Sequence, residues 1–169
     1  MRKALLGLTL LMQLSTGIAI AADLSNGWKA DDSADFRAAL LKWPPLAEQG
    51  NSAAQFNLGL MYEFGKGVLK NEKTAVKWYT LAAGQGYTSA QRNLGVMYEN
   101  GRGVKENAET AVKWYTKAAE QGNASAQLYL GLMYELGKGV PENDETAVKW
   151  YTKAAEQGNA SAQSNLGIM

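Results

Sequence analysis

The chain has 169 residues, with 17 basic and 16 acidic side chains, and contains neither histidine nor cysteine. Without these two residue types a protein has no disulfide, no Ser-His-Asp triad and none of the usual zinc sites. The nearly balanced charge also lacks the basic footprint of a nucleic-acid-binding protein, so we expect no nucleic acid among the partners.

The first residues, 1–21, have the pattern of a secretory signal peptide. Two basic residues precede an apolar run over 4–20, and small residues stand before a cleavage point at Ala21 or Ala22. A membrane anchor is the alternative, but Gln13 interrupts a run that already falls short of about 20 apolar residues. We therefore expect cleavage, no stable membrane insertion, and export to the periplasm or the medium.

The segment after the cleavage point divides into a polar lead-in, 22–35, and a degenerate half-repeat, 36–53. Gly50 lies 36 residues before Gly86, which closes the next unit, so 36–53 correspond to the end of a repeat. Terminal repeats often diverge because they cap the array. We interpret this segment as such a cap.

Two features make the half-repeat irregular. Trp43 lies seven residues before Gly50, whereas Trp78 lies eight residues before Gly86, so the two tryptophans differ in register by one position. Pro44-Pro45 removes two backbone donors, and we predict that the pair disrupts the helix.

Three copies of a 36-residue unit follow, at 54–89, 90–125 and 126–161. A fixed period of this length indicates stacked repeats, in which each unit buries its apolar face against its neighbours. Each copy predicts two helices, and the first carries an apolar stripe. The residues predicted to build the core are Gly59, Tyr62, Trp78, Gly95, Tyr98, Trp114, Gly131, Tyr134 and Trp150.

Glycine and asparagine mark the predicted helix ends. A glycine inside the first helix costs about 1 kcal/mol relative to alanine, so its recurrence predicts a close approach of the partner helix. The glycine-basic-glycine hinge suits a left-handed cap, and Asn71, Asn107 and Asn143 suit the start of the second helix. Asn123 and Asn159 match glycosylation motifs, but we interpret them as caps of the following helix.

The last residues, 162–169, begin a fourth unit and stop one residue before its expected tyrosine. A bare final helix is one interpretation. We favour a truncated reading frame, because a helix ending there covers the preceding core poorly.

The pattern A-x-x-x-L-G-x-M-Y-E-x-G-x-G-V, followed by A-V-K-W-Y-x-x-A-A-x-Q-G, closely resembles the Sel1-like repeat family and is visible at 54–86, 90–122 and 126–158. The resemblance implies an all-α fold, a right-handed superhelical solenoid of antiparallel helix pairs related to tetratricopeptide arrays. It also implies that the first helices line the concave surface.

The residues give little support for catalysis. No Ser-x-x-Lys or Lys-Thr-Gly sequence is present, and we expect no catalytic group, no cofactor and no metal ion. Some cysteine-rich members of the family are associated with β-lactam binding or hydrolysis, but their disulfides have no counterpart here. A weak hydrolase of β-lactam or cell-wall-related substrates, and a periplasmic regulator of a membrane signalling protein, remain the alternatives to an interaction module.

A binding surface is best sought where otherwise constant repeats differ. Aromatic and arginine side chains are the usual anchors of such surfaces. We predict that a protein or peptide partner contacts Phe56, Phe64, Arg92, Leu128 and Tyr129. The alternative for Phe56 and Phe64 is packing against the adjacent first helix. The recurring acid of Glu63, Glu99 and Glu135 is interpreted as structural, since neighbouring copies lie too far apart to share one ion.

Overall fold

The computed structural model describes residues 33–169, apart from the side chains of residues 33–35 and 37. This part of the chain is helical and contains no strand. The helices are α1 Ser33–Glu48, α2 Ser52–Phe64, α3 Glu72–Gly84, α4 Thr88–Glu99, α5 Ala108–Glu120, α6 Ala124–Glu135, α7 Asp144–Glu156 and α8 Ala160–Leu166. The predicted signal peptide and most of the polar lead-in lie outside the described residues. None of these helices has both the length and the apolar character required to cross a membrane.

Each helix packs mainly against its neighbours along the chain. The first helices of the repeats are α2, α4, α6 and α8, and their starting residues are 36 apart. The second helices α3, α5 and α7 follow the same spacing. Apolar clusters lie between α1 and α2, α3 and α4, α5 and α6, and α7 and α8. The predicted all-α solenoid with a 36-residue repeat is confirmed.

Asparagine side chains begin most of the helices. The Oδ1 atom of Asn107 accepts a hydrogen bond of 2.8 Å from the Thr110 backbone, which satisfies one of the free donors of α5. The predicted caps at Asn71 and Asn143 make the same bond, as do Asn51, Asn123 and Asn159 at the first helices. Tyr87 takes this place before α4 and caps no backbone donor through its side chain.

Glycines in the left-handed conformation end the first helices. Gly101 has φ of 64°, and the next backbone donor, of Arg102, bonds to the Met97 carbonyl at 2.9 Å. Gly65 and Gly137 have φ of 69° and 61°. The predicted left-handed caps are therefore present, and each turns the chain from the first helix towards the second.

The prediction that Pro44-Pro45 disrupts the helix is wrong, because α1 continues through both prolines. Proline removes a donor but keeps its carbonyl, and the Pro45 carbonyl accepts a bond of 3.2 Å from the Gln49 backbone. Trp43 and Ala47 are buried on the same helix, so packing against α2 offsets the missing bonds. Trp43 has the register of the buried Tyr79, seven residues before the turn glycine, which accounts for its one-residue offset from Trp78.

Candidate functional site

A tyrosine of each second helix occupies the space left by a glycine of the preceding first helix. Tyr115 is fully buried, and a methyl group added at Gly95 would lie 2.5 Å from its ring. The same contact recurs between Gly59 and Tyr79 and between Gly131 and Tyr151. The close approach at these glycines is thus made by an aromatic ring of the same repeat, which contributes a large apolar area to the core.

Each of these tyrosines also donates a hydrogen bond to the glutamate near the end of the first helix. Tyr115 Oη lies 2.6 Å from Glu99 Oε2. The same bond joins Tyr79 to Glu63 and Tyr151 to Glu135. Burial raises the pKa of all three tyrosines, and the neighbouring carboxylate raises it further. The hydroxyls therefore stay protonated at neutral pH and link the two helices of a repeat.

The basic residue of the hinge connects one repeat to the preceding repeat. Arg102 Nη1 lies 3.1 Å from Glu63 Oε1, and Arg102 Nε and Nη2 donate to Glu72 Oε1 at 3.1 and 3.0 Å. Burial alone would lower the pKa of Arg102, but the hydrogen bonds and charges of the two glutamates raise it overall. In the next repeat Lys138 Nζ lies 3.6 Å from Glu99 Oε1.

A buried glutamine forms a second polar link between repeats. Gln91 Nε2 donates to the Ala83 carbonyl of the preceding second helix at 3.1 Å, and Gln91 Oε1 accepts from Gln121 Nε2 at 2.6 Å. The equivalent bonds join Gln55 to Ala47 and Gln85, and Gln127 to Ala119 and Gln157. Because buried amides must be paired, this arrangement fixes the stacking of neighbouring repeats.

The recurring aromatic residues lie at the junctions. Trp114 on α5 packs against the cluster between α3 and α4, and Tyr98 on α4 contacts the clusters on both sides of it. Trp78, Trp150, Tyr62 and Tyr134 also pack at junctions and remain partly exposed. These side chains join helices rather than form an open surface.

Three of the residues predicted to bind a partner pack within the array. The Phe56 ring lies 5.0 Å from the Tyr87 ring, which matches the alternative interpretation of packing against the next first helix. The Tyr129 ring stacks on the Tyr115 ring at 5.2 Å, and Leu128 packs against the cluster between α7 and α8. Positions that vary between repeats are thus also positions of contact between repeats.

The other two predicted binding residues are more accessible. Phe64 is 57% exposed, and Arg92 is partly exposed. Helical spacing places positions 56 and 64 on one side of the first helix, and the period gives the same relation in each copy. We call the side chains at these positions the variable surface, and it comprises Phe56, Phe64, Arg92, Asn100, Leu128 and Leu136.

The described part of the chain contains no group of three or more acidic side chains that could hold a metal ion. Open clefts occur where the start of a second helix faces the next hinge, and the largest described, about 750 Å³, is lined by Tyr98, Asn107 and Gly139. Its polar groups are helix-cap and turn atoms, which suit packing better than proton transfer.

Sequence reasoning missed the links that cross between helices. Tyr115, Arg102 and Gln91 were not singled out, although each stands in a column that recurs every 36 residues. The available signal was a polar residue retained in every copy at the same spacing from a second polar residue. Such paired columns indicate a bond that each repeat makes again.

A family model described as Sel1 repeat matches residues 52–87, 88–123 and 124–159. Each match begins two residues before the unit predicted above, as a continuous array can be divided at any phase. No match was found among the curated proteins.

Solved structures share the fold. A Sel1 repeat protein from Oxalobacter formigenes is 38% identical with a TM-score of 0.78, over 86% of this chain and 58% of that one. The protective antigen c5321 of uropathogenic Escherichia coli, which displays an SLR fold, is 40% identical with a TM-score of 0.81, over 94% and 36%. Helicobacter pylori cysteine-rich protein B is 26% identical with a TM-score of 0.62, over 81% and 96%. The chain thus spans less than two thirds of the first two relatives.

Proposed function

The chain belongs to the Sel1 repeat family, whose members are generally protein-interaction modules, and from that premise we propose that it binds a protein or peptide through the variable surface. One observation carries the proposal. Phe64 and Leu136 are 57% and 67% exposed at equivalent positions two repeats apart. Large apolar side chains exposed on one face of a folded array are typical of a contact surface.

We propose recognition without catalysis. The chain has no histidine or cysteine, and the buried glutamates and tyrosines of the described repeats are engaged with one another or with hinge cations. Groups held in this way lack the reach to a substrate that acid–base catalysis requires. Export remains a prediction from residues 1–21.

Site-specific photo-crosslinking in the cells that produce the protein tests this proposal. A photoreactive phenylalanine analogue replaces Phe64 or Leu136, and a matched analogue replaces Lys113, which is exposed on α5 away from the variable surface. We expect defined adducts from positions 64 and 136 and none from position 113.

Two results would contradict the proposal. Equal adduct yields at all three positions would show that contact is not confined to the variable surface. An absence of adducts at 64 and 136, with the protein folded and expressed, would show that this surface contacts no partner.

A further inference from the structure

Arg92 stands where the neighbouring repeats place an apolar side chain. The equivalent positions are Phe56 and Leu128, and both pack at the junction with the following repeat. A guanidinium at such a junction contributes less to packing than either residue, and its charge must be accommodated. The middle repeat therefore has a cation at the centre of the variable surface, between two repeats that are apolar there.

The Arg92 charge is not paired within the described residues. Its Nε atom is buried without a hydrogen-bond partner, and no ion pair joins its side chain to a carboxylate. Buried polar groups are nearly always partnered, so an exception calls for an explanation. The Oδ1 atom of the adjacent Asn93, a residue that is 7% exposed, is also buried without a partner.

The nearby carboxylates are already occupied. Glu63 takes the Tyr79 hydroxyl and Arg102, and Glu99 takes the Tyr115 hydroxyl and Lys138. Both tyrosines feel the Arg92 charge, which places its guanidinium near this polar row. Arg92 is thus the surplus cation of the row.

A second variable position has the same order along the array. Phe64, Asn100 and Leu136 are apolar, polar and apolar, like Phe56, Arg92 and Leu128. Adjacent packed helices are separated by about 8–10 Å, the length of about three residues of extended chain. A segment running across the repeats would therefore meet a polar site flanked by apolar sites about three residues away on each side.

We propose that Arg92 binds an aspartate or glutamate carboxylate of an extended partner segment whose flanking apolar side chains contact Phe64 and Leu136. This inference rests on the proposed function and specifies its ligand. A guanidinium matches a carboxylate with two parallel hydrogen bonds, and its flexible stem allows the Nε atom to turn towards the ligand. The partner supplies the charge that the chain itself does not.

The test uses an array of short acetylated and amidated peptides in a Gly/Ser background. Each has a leucine about three residues to either side of a central Glu, Asp, Gln or Lys. The full chain should prefer the acidic peptides. Arg92→Gln should weaken the Glu peptide by about tenfold or more and leave the Gln peptide nearly unchanged. Arg92→Lys should retain part of the preference, because it keeps the charge and loses the fork.

Lys113→Gln is the matched control, since it removes one exposed positive charge elsewhere and should leave the preference intact. Nuclear magnetic resonance supplies a readout that a packing role would not move. The chain has only four arginines, so the Arg92 Nε–H signal can be assigned with the lysine variant. It should shift with the Glu peptide and stay in place with the Gln peptide.

The two proposals fail in distinguishable ways. Binding to the array without an acid preference, or a preference that survives Arg92→Gln, would overturn the role of Arg92 while leaving the crosslinking result to stand. Failure of every peptide to bind would also overturn it. Loss of crosslinks at positions 64 and 136 would overturn the proposed function itself.

Discussion

Arg102 reaches back across a repeat boundary to Glu63, with Nη1 3.1 Å from Oε1, and so joins two units through a carboxylate that is almost fully buried. The same guanidinium bonds to Glu72 at the start of α3. One side chain thereby holds the end of one helix, the start of the next and the following hinge.

We expect Arg102→Gln to lower the free energy of unfolding by about 2 kcal/mol, because it leaves the Glu63 carboxylate buried with no cation beside it. Arg102→Lys should cost less, since Lys138 fills the equivalent place. Urea titration measures both. Lys149→Gln breaks an exposed pair with Glu145 and should cause no measurable change. Equal effects of the Arg102 and Lys149 variants would refute the assignment.

Gly95→Ala should destabilise the protein by about 2–3 kcal/mol, although alanine favours helix more than glycine does. The added methyl group would meet the buried Tyr115 ring at 2.5 Å. Gly84→Ala is the control, because no atom lies within 4 Å of the methyl group there. That variant should be neutral or more stable by up to about 1 kcal/mol. Thermal unfolding compares the two, and a similar response would contradict the packing argument.

Gln91→Ala should cost about 1–3 kcal/mol, since the Ala83 carbonyl and the Gln121 amide would both lose a buried partner. Gln163 makes the equivalent bond to the Ala155 carbonyl at 3.2 Å, but it is exposed. Water can replace the bond there, so Gln163→Ala should be nearly silent. Hydrogen exchange should increase on both sides of the boundary in the first variant. Exchange that changes in one repeat alone would argue against a link between repeats.

The protein should lose stability as the pH rises above about 10. The pKa of Tyr115 is raised in the fold, so the unfolded chain releases this proton first and alkali favours unfolding. Each such tyrosine contributes about 1.4 kcal/mol per pH unit in that range.

Tyr115→Phe isolates this effect from the titration of lysines. At neutral pH the variant should be less stable by about 1 kcal/mol, because Glu99 loses a hydrogen bond. The difference should close as the pH passes 10, since phenylalanine has no proton to release. Urea midpoints measured across the alkaline range follow the difference, and a gap that stays constant would exclude the buried hydroxyl as its source.

Local features of the sequence predicted the helix ends well. Asn107 and Gly101 act within their own turns, so a few neighbouring residues determine their conformation. The continuous helix through Pro44 was not predictable in this way, since burial of Trp43 against another helix compensates for the missing donors. Tertiary contacts outweighed a local rule there.

The candidate site was predicted only in part for a similar reason. Phe56 and Leu128 vary between repeats, but they pack at junctions, and periodicity alone does not separate a junction from an open surface. The bond between Gln85 and Gln55 spans 30 positions along the chain. Pairing at that distance depends on how the units stack, which no single repeat encodes.

Residues 109–127 and 145–163 are identical, and the links that leave these segments use residues that every unit carries. A recombination event between the two corresponding stretches of the gene would delete or add 36 residues and leave each new neighbour facing a familiar partner. The array can therefore change its length in one genetic step without inventing an interface. What such a step alters is the variable surface, because it changes how many sites follow Arg92.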